Sequence, residues 1–73
     1  MSLNPNLTPR EREVLACLTM GMTNREIAAE LKLAVTTVKS HLSSTYKKLG
    51  VANRTQAAMV GLGIFPTLRT VAS

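Results

Sequence analysis

The chain has 73 residues and a mass of 7.9 kDa, a size that buries only roughly 60% of its surface on folding and leaves no room for a large enzyme with a deep pocket. Hydrophobic residues make up 45% of it but aromatics only 3%, a single Tyr46 and a single Phe65, so aliphatic side chains must fill one small core, which suits helices. A net charge of +5 and a pI near 10.2 point to an acidic partner, either nucleic acid or an anionic lipid surface.

The first helix is announced by Thr8-Pro9-Arg10-Glu11: Thr8 as N-cap, Pro9 at the first helical position and Glu11 to close a capping box. Val14, Leu15 and Leu18 recur on one face, and Gly21 offers a left-handed stop after Met20, so the helix covers residues 9 to 20. Thr23-Asn24-Arg25-Glu26 repeats the box, and Ile27, Ala28 and Leu31 form the stripe of a short second helix over 24 to 31. The spacing of Val38, Leu42, Thr45, Tyr46 and Leu49, ending at Gly50, predicts the longest helix over 35 to 49. Asn53, with Gln56 three residues on, caps a fourth helix whose glycines, Gly61 and Gly63, weaken it by roughly 1 kcal/mol each and whose extension Pro66 limits. The tail from 66 to 73 is expected to be disordered.

Several function classes drop out. The longest apolar or glycine run, Ala57 to Phe65, is far below the roughly 18 to 20 residues of a membrane-spanning helix, and Met1-Ser2-Leu3-Asn4-Pro5 has neither the charged nor the apolar region of a secretion signal. A cytoplasmic protein is expected. The one cysteine, Cys17, forms no internal disulfide and is read as a core residue; with a lone His41 there is no zinc cluster and no nucleophilic triad, so neither enzyme nor cofactor is expected.

The charge is unevenly placed. Glu11, Glu13, Glu26 and Glu30, the only acids, all precede residue 31, whereas Lys32, Lys39, Lys47, Lys48, Arg54 and Arg69 follow it without any acid. At about 100° per residue, Thr36, Ser40, Ser43 and Lys47 point away from the apolar side of the third helix, with Thr37, Lys39, His41 and Lys48 on the flanks. A short helix, a turn and a longer helix with a donor-rich outer face match a helix-turn-helix whose second member enters the DNA major groove. A membrane-surface helix would need a broad apolar face with Trp or Phe, which this helix lacks.

Leu7-Thr8-Pro9-Arg10-Glu11-Arg12-Glu13-Val14-Leu15, Thr23-Asn24-Arg25-Glu26-Ile27-Ala28, Thr37-Val38-Lys39-Ser40-His41 and Lys48-Leu49-Gly50-Val51 together resemble the LuxR-type DNA-binding domain of the LuxR, FixJ, NarL and GerE regulators. The likeness runs from about Leu7 to Ile64. It implies an all-α, four-helix domain over 7 to 65, of winged-helix-like type without the wing, preceded by linker residues 1 to 6. It implies base contacts at Thr36, Lys39, Ser40 and Ser43 and phosphate contacts at Thr23, Asn24, Thr37 and Lys47, to which Lys48 is added as a flank cation. The fourth helix commonly builds a homodimer, here through Ala58, Met59 and Leu62, while Ala57, Val60, Gly61 and Ile64 face the core. His41 is open between a flank contact and a packing role.

Three departures stand out: Ala34 where many members cap the third helix with Ser or Thr, Thr36 where a basic or larger polar residue is usual, and an early glycine and proline in the fourth helix. The expected function is sequence-specific binding of double-stranded DNA as a dimer, in the output domain of a bacterial transcription regulator, commonly joined to an N-terminal receiver or ligand-binding domain. The alternative is a protein-interaction module that meets RNA polymerase or another regulator.

Overall fold

A computed structural model of the chain describes residues 6 to 63, which form four helices: α1 (Pro9–Thr19), α2 (Asn24–Leu31), α3 (Val35–Leu49) and α4 (Arg54–Gly61). The tail at 66 to 73, the first five residues and the core role expected of Ile64 lie outside the described residues.

The helix starts follow local chemistry. Thr8 Oγ1 accepts from the Glu11 amide at 3.1 Å while Glu11 Oε1 accepts from the Thr8 amide at 2.9 Å, a complete capping box. Thr23 and Glu26 form the same box at 3.1 and 2.8 Å. At α4, Asn53 Oδ1 accepts from the Gln56 amide at 2.9 Å, but Gln56 Oε1 reaches one residue further back, to the Ala52 amide at 2.8 Å. At α3, Ala34 has extended backbone and no side-chain oxygen to give, so that end has no cap of this kind.

Three helix ends close alike. Met22 donates to the Cys17 carbonyl and Gly21 to Leu18; Leu33 donates to Ala28 and Lys32 to Ala29; Val51 donates to Tyr46 and Gly50 to Lys47. Each is a Schellman closure, which needs one left-handed residue. Gly21 (φ +82°) and Gly50 (φ +70°) adopt it without a Cβ penalty, whereas Lys32 (φ +59°) takes it against the preference of an L side chain.

α1 packs against the other three helices, α2 also against α3, and α3 also against α4. Leu7, Val14, Leu15, Cys17, Leu18, Ile27, Ala28, Val38, Leu42 and Ala57 form the core, with Tyr46, Leu49 and Ala58 packed partly against it. Complete burial of Ile27, Val14 and Val38 stabilises the fold by about 1.5–3 kcal/mol each. Gly61 allows α4 its close approach to α1, since a Cβ there would sit 2.6 Å from Thr19 Cγ2 and 3.1 Å from Leu15 Cγ. α3 therefore lies with its inner side on α1, α2 and α4 and its outer side open.

Candidate nucleic-acid interface

The orientation of α3 decides what it can offer. Val38, Leu42 and Thr45 are buried, and the Thr45 hydroxyl satisfies itself by donating to the His41 carbonyl at 2.7 Å. The opposite face presents Thr36, Lys39, Ser40, Ser43 and Lys47, all exposed, with Thr37 and His41 half-buried at its edges. No acidic residue occurs on this helix, so its outer face offers hydroxyl and ammonium donors, and the hydroxyls also accept. Because Ala34 gives no cap, the first-turn amides of α3 have no side-chain acceptor among the described residues and carry the positive end of the helix dipole.

The start of α2 lies beside this face. Thr23 is exposed, and its hydroxyl oxygen accepts from Glu26 within the capping box, which leaves the hydroxyl proton for an outside acceptor. Asn24 is half-buried, with Oδ1 accepting from Arg54 Nη1 at 2.8 Å. An open groove lined by Asn24, Lys39, Ser43, Tyr46 and Arg54 runs between the two helices, and a neighbouring depression is lined by Thr23, Arg25, Lys39 and Arg54 among others, with no acid in either. The fold thus brings Thr23, Asn24, Lys39 and Ser43 of the expected set together. Arg54 joins them without having been assigned to the site; in the sequence it stands out only as one cation of the acid-free part and as the residue directly after the Asn53 cap.

Lys48, expected as a flank cation for phosphate, is turned toward another partner. Its ammonium donates to Glu11 Oε1 at 2.8 Å and to the Asn6 carbonyl at 3.0 Å, on the α1 side of the helix. Glu11 is only 4% exposed, and a buried carboxylate must be paired, so it draws the nearest lysine inward. The Lys48 ammonium, with the Ser44 hydroxyl and the Thr8 amide, holds the Glu11 carboxyl down at about 2 from its ordinary 4.5, against the opposing effect of burial. Burial, with Glu30 and Glu13 adding to it, pushes the Cys17 thiol up, which keeps it a protonated core side chain.

On α4, the three residues expected at a dimer contact differ. Ala58 packs partly on the core, Met59 is half-buried, and Leu62, just past the helix end, is 59% exposed. Ala57 and Gly61 face α1 and the core, as the helical wheel indicated. No helix among the described residues is long and apolar enough to cross a membrane.

Comparison with known proteins places this geometry. Residues 5–60 match the family of bacterial regulatory proteins described as the luxR family. The putative HTH-type transcriptional regulator YhjB of Escherichia coli (strain K12) is 49% identical over 55 residues, which cover 75% of this chain and 28% of YhjB. The probable HTH-type transcriptional regulator GfsR of Streptomyces halstedii is 49% identical over 57 residues, 78% of this chain and 24% of GfsR. The chain thus spans about a quarter of the length of these relatives. Among solved structures, the transcription factor GerE aligns with a TM-score of 0.68 and 38% identity over 90% of this chain and 97% of GerE. The response regulator ChrA of a heme-sensing two-component system aligns with a TM-score of 0.70 and 44% identity over 81% of this chain and 30% of ChrA. These relatives are regulators of transcription rather than enzymes. With four helices, an open α3 and a match over most of its length, the chain belongs to the LuxR family of bacterial regulatory proteins, as one of its helix-turn-helix domains.

Proposed function

We propose that this domain binds double-stranded DNA sequence-specifically, with α3 in the major groove, as the output domain of a bacterial transcription regulator. The observation that carries the reading is the outer face of α3, exposed, free of acids and flanked by the start of α2. Thr36, Lys39, Ser40 and Ser43 reach base edges: the Lys39 ammonium suits the guanine acceptors, and the small hydroxyls suit direct or water-mediated contacts. Thr23, Asn24, Thr37 and Lys47 hold phosphates, supported by the first-turn amides of α3. The exposed Leu62, with Met59 and the edge of Ala58, serves contact with a second copy, so that two copies meet half-sites about one helical turn apart. RNA polymerase is a further partner of the DNA-bound dimer, in the cytoplasm and on the nucleoid.

Fluorescence-anisotropy titration onto a mixed-sequence duplex across a salt series tests the reading. Log K should fall linearly with log salt, and Lys47→Ala should reduce the slope by about 0.9, the value for one neutralised phosphate. On a selected cognate site, Lys39→Ala should cost about 1–3 kcal/mol and relax preference at one base pair. No binding at low salt, or a slope indifferent to Lys47 together with an affinity indifferent to Lys39, overturns the reading in favour of a protein-interaction module.

A further inference from the structure

Arg54 is the first residue of α4, yet its side chain serves another helix. The guanidinium is half-buried; Nη1 donates to Asn24 Oδ1 at 2.8 Å and Nη2 donates to the Met22 carbonyl. These partners, 30 and 32 residues away in sequence, sit on either side of Thr23, the N-cap of α2. α2 and α4 do not pack on each other, so this fork is what joins the start of one to the start of the other. A guanidinium has five N–H donors and no acceptor, so the carboxamide of Asn24 must turn its oxygen toward Arg54 and its N–H2 away from it. The side chain so oriented lines the same acid-free groove as Lys39 and Ser43.

We propose that Arg54 is a positioning residue for DNA binding: it fixes the Asn24 carboxamide with its N–H2 aimed at a phosphate beside Lys39 and sets the approach to α2 against α3. The inference rests on the duplex-binding reading above and assigns Arg54 an effect exerted through Asn24, without neutralising a phosphate itself. Lysine keeps the charge but not the planar fork, so it cannot hold both acceptors in register.

The test is a double-mutant cycle on the complete chain, titrated onto the same mixed-sequence duplex, with far-UV circular dichroism to show that each variant is folded at the titration temperature. Arg54→Lys and Asn24→Ala should each weaken binding on the order of tenfold, and the pair together no more than either alone. Arg54→Ala should weaken binding equally and leave the salt slope unchanged. Losses that multiply to about a hundredfold overturn the proposal, as does unaltered affinity. A slope reduced by about 0.9 in Arg54→Ala overturns it too, by making Arg54 a direct phosphate contact. A second measurement needs no variant: on addition of duplex to the ¹⁵N-labelled unmutated chain, the side-chain N–H2 pair of Asn24 should shift, and an unmoved pair overturns the proposal. No binding by the unmutated chain overturns the duplex reading and this inference together, whereas binding with independent losses overturns the inference alone.

Discussion

Lys47 and Lys48 are neighbours on α3, yet one ammonium stands in solvent and the other closes onto a buried carboxylate 37 residues earlier in the chain. The same contrast runs along the helix. Ser40 and Ser43 are exposed on one side, while on the other Thr45 is fully buried and Ser44 helps to hold Glu11 ionised. What separates the two sides is the acid: the inner side meets Glu11 from α1, and the outer side meets none. Residue type therefore does not decide whether a polar group on α3 is structural or available to a ligand; the facing helix does.

Changes on either side should have separable effects. The largest is expected from Leu42→Ala, which empties the inner side and should destabilise the fold by about 2–5 kcal/mol by thermal or urea denaturation. An unchanged melting temperature would invert the assigned orientation of α3. Next comes Lys48→Met, which leaves Glu11 buried without its cation and should cost about 2 kcal/mol at pH 7 while leaving the DNA salt slope intact. A slope reduced by 0.9 instead would return Lys48 to the outer side.

That second variant also has a pH signature. The Glu11 carboxyl titrates lower in the fold than its ordinary 4.5, so the stability from its ionised form is fully present above that value and fades as pH falls through about 2. Melts of the unmutated chain and of Lys48→Met should therefore differ at pH 7 and converge toward pH 2. The smallest effect is expected from Ala34→Ser, whose hydroxyl would cap the open start of α3 and raise stability by about 1 kcal/mol, provided the backbone there stays extended as observed.

The first three helices and the start of the fourth were legible in the sequence to within a residue because their signals are local. Thr8 and Glu11, Thr23 and Glu26, and Gly21 and Gly50 each act across a few positions, and the inward set of Val38, Leu42 and Thr45 follows from helical period alone. The outer residues Thr36, Lys39, Ser40, Ser43 and Lys47 were legible for the same reason. Lys48 and Arg54 were not. Their partners lie 30 to 42 residues away, and no periodicity says that Glu11, already occupied in a local capping box, would also face α3. The left-handed Lys32 was invisible as well, because the closure it completes usually announces itself by a glycine.

The inward turn of Lys48 bears on how the domain would search a chromosome. On the proposed duplex-binding reading, a lysine already neutralised within the fold would release no counterion from DNA, so α3 would bring two ammonium groups unpaired among the described residues to a duplex where its sequence contains three. Sequence-independent attraction falls accordingly, and in a genome every unrelated stretch is a competitor whose hold depends on that attraction. A single copy would leave wrong sites quickly, and lasting residence would come from two copies engaging paired half-sites at once, where one copy's hold raises the effective concentration of the other. An internal ion pair that steadies α1 against α3 would thereby also shift the proposed binding from charge toward sequence.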